Sequence, residues 1–66
     1  MNQSIKTIAK QIIDEATAII QYTDSIEAVG DDKEAAARFA EIRGDELTHL
    51  TQLVVLLSST FKRNDS

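Results

Sequence analysis

"VGDDKE", residues 29–34, is the stretch on which the fold turns. The 66-residue chain has no proline and only two glycines, so little else in it interrupts helix formation. Gly30 can take the left-handed conformation that ends a helix. Asp31, followed three residues later by Glu34, resembles a capping box that opens the next one. The expected course is a first helix over about residues 4–29, a turn at 30–32 and a second helix over about 33–62. The whole chain, 1–66, is then a single all-α unit, a two-helix antiparallel hairpin.

Working outward from the turn, apolar residues recur at alternating steps of three and four, as an amphipathic helix requires. In the first half the row is Ile5, Ile8, Ile12, Ile19, Ile26 and Val29, and its two missing members are Glu15 and Tyr22. In the second half it is Ala35, Phe39, Ile42, Leu53 and Leu56, and the members missing there are Glu46 and His49. Periodicity alone therefore expects Glu15, Glu46 and His49 to face the seam between the helices. Ala9, Ile13, Ala16 and Ile20 widen the first stripe, and Leu47, Leu50, Val54, Leu57 and Phe61 widen the second. Two helices cannot cover that much apolar surface, so a second copy closing a four-helix bundle is the simplest expected partner. Gly44 costs roughly 1 kcal/mol against alanine inside a helix. With Ala37, Thr51 and Ser58 it forms a small-residue stripe at seven-residue spacing.

In an antiparallel pair, residues equally far from the turn lie level, so the numbers of facing residues sum to about 61. By that rule Glu15 is level with Glu46, Ile12 with His49, and Tyr22 with Phe39. Glu15, Glu46 and His49 should then fall within about one helical turn, roughly 5 Å along the axis.

Composition narrows the functional classes. Eleven acidic against seven basic residues give a net charge of −4, and no Lys/Arg cluster offers a surface for nucleic acid. The longest apolar run, "LVVLLSS", is far too short for a membrane span, and the N-terminus has no leader-like apolar core, so a cytoplasmic location is expected. With no cysteine, a chain of this size, which buries only roughly 60% of its unfolded surface, relies on a metal, on association or on unusually good packing.

A carboxylate in a core seam is costly unless it is protonated, paired or metal-bound, and no Lys or Arg occupies the seam to pair with Glu15 and Glu46. In a two-fold dimer the four carboxylates would be balanced by two divalent cations. A Glu from each of two helices with a Glu-x-x-His from each of the other two is the ligand set of di-iron and di-manganese carboxylate bundles. The plainer readings remain: Glu46 and His49 as a solvated i,i+3 pair worth a few tenths of a kcal/mol, Glu15 reaching outward to water, and Tyr22 in an aromatic pair with Phe39.

In order and phase, Glu15, Tyr22, Glu46 and His49 resemble the ferritin-like superfamily of ferritins, bacterioferritins and rubrerythrins. Members carry Glu on one helix and Glu-x-x-His on the next, often with a Tyr seven residues after the first Glu. The similarity covers residues from about 10 to 57 and is strongest to the two-helix encapsulated ferritins, whose metal centre is completed between subunits. The resemblance implies a homodimer forming a ferritin-like four-helix bundle, with larger oligomers compatible. It also implies ferroxidase-type oxidation of Fe(II) by dioxygen or peroxide. Glu46 would bridge two irons per dimer, Glu15 and His49 would be terminal ligands, and Tyr22 would support them from behind. Oxygen-rich ligation with one imidazole suits iron first, with manganese or zinc as the other candidates. The tail "FKRNDS" is unlike the apolar targeting extension of encapsulated ferritins, which argues against a surrounding shell. The alternative function is a non-catalytic hairpin that dimerises or binds a partner helix, with or without a structural metal.

Overall fold

The computed structural model describes residues 2–65; the first and last residues of the expected unit lie outside that range. Helix α1 spans Gln3–Ala28 and helix α2 spans Lys33–Asp65, and the two pack against each other as a hairpin. α1 starts at Gln3 because the Asn2 side chain accepts hydrogen bonds from the N–H groups of Ser4 (2.7 Å) and Ile5 (3.3 Å), satisfying donors that a helix start otherwise leaves orphaned.

The turn forms at the expected place. Gly30 has φ +56°, the left-handed conformation that a residue with a Cβ adopts only at a cost. Its N–H donates to the carbonyl of Glu27 (3.2 Å), and the N–H of Asp32 donates to the carbonyl of Val29 (3.1 Å). The cap of α2 differs from expectation by one residue. Asp32, not Asp31, accepts the hydrogen bond, from the N–H of Ala35 at 3.1 Å. Since α2 begins at Lys33, the third helical position falls on Ala35, which has no side chain to reciprocate. The Asp31/Glu34 box therefore does not form, and Glu34 instead lies in the first turn, where the helix dipole favours a negative charge.

The hairpin is long and thin, 53 × 16 × 10 Å, with a Cα radius of gyration of 15.3 Å, against about 11 Å for a compact chain of this length. Among the described residues only Ile5, Ile8 and Thr60 are buried, all at the open end. On α1 the row that meets α2 is the one expected. On α2 the half-buried residues are Ala35, Ala36, Phe39, Ala40, Arg43, Glu46, Leu50, Leu53, Leu57 and Ser59; Ala35, Phe39, Glu46 and Leu53 of the predicted seam are among them, and the centre of the strip is rotated from it. Ile42, His49 and Leu56 are exposed on its edge. One partner helix covers only a narrow strip, and packing centred on Leu50 and Leu57 leaves the Ile42–His49–Leu56 row outside it.

Each side of the hairpin thus keeps an apolar flank. Leu56 borders one groove with Ser4 and Thr7, which fixes the flank that also carries Ile42 and His49. Nine residues make two and a half turns of helix. Ile13 therefore lies opposite Ser4 around α1, and Leu47 lies opposite Leu56 around α2. The second flank carries Ile13, Ile20, Leu47, Val54 and Phe61; Ile13 and Ile20 are 63% and 62% exposed. Among the described residues no helix is long and apolar enough to cross a membrane. At Gly44 an added Cβ would meet nothing within 4 Å, so nothing inside one hairpin requires glycine there.

The cap assignment has a direct test. Asp32→Ala should lower stability by about 1 kcal/mol, whereas Asp31→Ala should change it by less than about 0.5 kcal/mol. Thermal unfolding at one fixed chain concentration checks both.

Candidate metal centre

Glu15 comes from the middle of α1, between Ile12 and Ile19 of the packed row, and Glu46 from the facing row of α2. His49 follows one turn later on the same helix. The equal-distance rule holds, since side chains far apart in sequence meet as predicted. His49 Nδ1 is 4.0 Å from Glu15 Oε2 and 3.8 Å from Glu46 Oε1. One donor atom from each of the three side chains lies within 4.8 Å of the other two. These separations are too long for hydrogen bonds. They are close to those of groups around one cation, because two donors at about 2.1 Å from a metal lie roughly 3 to 4 Å apart.

The environment is graded. The side chains of Glu15 and Glu46 are 20% and 22% exposed and that of His49 is 53% exposed. The expectation that all three face the seam therefore holds for the carboxylates and needs correction for the imidazole. His49 stands on the flank and reaches the carboxylates from the side. Glu15 Oε2 is buried without a hydrogen-bond partner, an arrangement native structures usually avoid. The Glu15 carboxyl is held above its ordinary value, first because its protonated form can hydrogen-bond to Glu46, then because burial and the negative charge of Glu46 disfavour ionisation. His49 opposes the shift and Asp14 adds to it. A cation placed among the three groups would remove each of these penalties at once.

Tyr22 is brought to its level partner. Its ring centroid lies 6.1 Å from that of Phe39, tilted by 39°, within the range of favourable aromatic pairs. Seven residues put it about 10 Å along the helix from Glu15, and among the described residues its hydroxyl makes no hydrogen bond to the cluster within one chain. Asp45, next to Glu46, is exposed. The sequence reading did not foresee that Arg43 would sit in the packed row and donate to Thr23 Oγ1 at 3.2 Å, nor that Thr60 would be buried with its hydroxyl on the carbonyl of Leu56. Both are polar members of rows that apolar counting skips, and neither touches the cluster.

No protein-family model matches the sequence, and no curated protein or solved structure matches it significantly.

A raised carboxyl value has a definite sign in stability. The metal-free fold favours protonated Glu15, so this contribution is complete below about pH 4.5, the ordinary value, and is lost as pH rises through the raised value. Glu15→Gln, which imitates the protonated form, should therefore melt higher than the parent at pH 7 in chelator, and the difference should shrink toward pH 4.5. A variant that melts lower at pH 7 would contradict the strain assigned to Glu15.

Proposed function

We propose that two copies of the hairpin pack through the flank carrying Ile42, His49 and Leu56. Between them they hold iron at Glu15, Glu46 and His49 of both chains, as a di-iron carboxylate centre with ferroxidase-type activity. The arrangement would be a ferritin-like four-helix bundle made by a homodimer. The observation that carries this reading is the convergence of two partly buried carboxylates and an imidazole from separated parts of the chain, with Glu15 Oε2 left unpartnered.

The residues fit such a centre. Four carboxylates from two chains match the charge of two divalent cations, and oxygen-rich ligation with one imidazole per cation suits iron or manganese. Ile42 and Leu56 stand seven residues before and after His49 on the same flank, so a second copy docking there would enclose the imidazole between apolar contacts and exclude water. Iron held there would supply one-electron oxidation chemistry: two ferrous ions would give two electrons, which with two protons would reduce dioxygen to hydrogen peroxide or hydrogen peroxide to two waters. The chain's own part is to hold the ions, offset their charge and shield them. All three ligands bind metal in their deprotonated forms, and Glu15 holds its proton more tightly than an ordinary carboxylate, so metal affinity should fall as the medium becomes acidic.

The exposed apolar flanks favour one other reading, a hairpin that only dimerises and whose buried carboxylates set register. The two readings separate in one experiment. Ferrous iron is added without oxygen, air is admitted, and ferric product is followed by its ultraviolet absorbance. The parent protein should oxidise iron faster than buffer, and a Glu46→Ala/His49→Ala variant should fall to the buffer rate. Equal rates in parent and variant would sink the enzymatic reading. If the parent stays at the buffer rate while chelator still lowers its melting temperature, the metal is structural.

A further inference from the structure

The flank opposite the metal cluster carries its own pattern. Lys6, Ile13, Ile20 and Glu27 follow one another at seven-residue spacing along α1, and Lys10, Thr17 and Asp24 form the row beside them. Both rows are basic at the N-terminal end, uncharged in the middle and acidic at the C-terminal end. Among the described residues, the side chains of Lys6, Lys10, Asp24 and Glu27 make no ion pair or hydrogen bond within the chain. Their order also works against α1 itself. A helix favours acidic groups near its start and basic ones near its end, and α1 has no acidic residue in its first turn and no basic one in its last. Lys6 and Lys10 are a like-charged i,i+4 pair, which is locally unfavourable.

The rows become complementary when α1 meets a second α1 running the other way. Ile13 and Ile20 are equally far from the point midway between Ala16 and Thr17, and so are Lys6 and Glu27. Lys10 and Asp24 are equally far from Thr17. We propose that the Ile13–Ile20 flank is a self-association surface on which a second copy packs with its α1 antiparallel. In that pairing Ile13 lies against the partner's Ile20, and Lys6 and Lys10 lie against the partner's Glu27 and Asp24. Two-fold symmetry makes every one of these contacts twice, as a self-complementary interface requires. The hairpin is 53 Å long, and the rows from Lys6 to Glu27 span about 32 Å of helix, so both rows can meet a second copy over their full length. Because this surface is opposite His49, it does not depend on the metal reading. If both surfaces operate, assemblies larger than a dimer follow.

The test uses the full chain in chelator, with association constants from sedimentation equilibrium and helicity from circular dichroism. Lys6→Glu and Glu27→Lys should each weaken association by about tenfold, since each turns two attractions into two repulsions across the interface. The double variant should return to within about twofold of the parent. Either single change improves the match of charge to helix dipole, so a merely local effect would leave association unchanged while helicity held or rose. Equal association in all four proteins, or a double variant as weak as either single one, would overturn the proposal. Metal binding at Glu15, Glu46 and His49, measured in parallel, should be the same in all four, so a failure here is distinct from a failure of the metal centre.

Discussion

Glu15 and Glu46 lie in the strip where α1 and α2 meet, and that strip supplies no cation to answer them. Most of what is unusual in this protein follows. Arg43 is in the same strip, but its guanidinium is turned to Thr23. The carboxylates are left to each other and to His49, whose Nδ1 stands 4.0 and 3.8 Å from them, beyond hydrogen-bond length. Two like charges held this way destabilise a hairpin that has little stability to spare, so the arrangement makes sense when a positive species from outside the chain occupies the space between them. A proton serves part of that role, as the raised Glu15 carboxyl indicates. A divalent metal would serve it more fully, because one ion could satisfy all three groups.

The second constraint is area. Two helices side by side bury one strip each, and only Ile5, Ile8 and Thr60 are buried among the described residues. Large apolar side chains remain exposed on both flanks, the kind of surface that marks interaction sites. The two flanks are not equivalent. One places Ile42 and Leu56 around an imidazole that belongs to the cluster, and the other carries the graded charges of α1. Association through the first would complete a metal centre, whereas association through the second would relieve charges that α1 itself disfavours.

Much of this was legible in the sequence, for reasons that can be named. Gly30 marked the turn because few residues tolerate positive φ. Once the turn was placed, equal distance from it predicted which residues meet, and the Glu15–Glu46–His49 cluster and the Tyr22–Phe39 pair both follow from that rule. Misreadings arose where one residue of register or a fraction of a turn matters. The second cap fell on Asp32 because the turn takes one residue more than the capping-box pattern assumes. His49 left the seam because a wide apolar stripe allows several rotations of α2. Periodicity cannot choose among them when Leu50, Leu53 and Leu57 compete with Ile42 and Leu56 for one strip. What would cover the flanks lies beyond a single chain, and there only the symmetry of the charge rows carries information.

The central claim, that Glu15, Glu46 and His49 of two chains share a pair of metal ions, is tested most directly by a crystal structure grown with ferrous iron under anaerobic conditions, with anomalous scattering at the iron edge. The account predicts two anomalous peaks related by a two-fold axis, each within bonding distance of carboxylate oxygens and of a His49 nitrogen, with Ile42 and Leu56 closing over them from both copies. Two hairpins packed together with no peak among these residues, or peaks only at exposed carboxylates elsewhere, would contradict it.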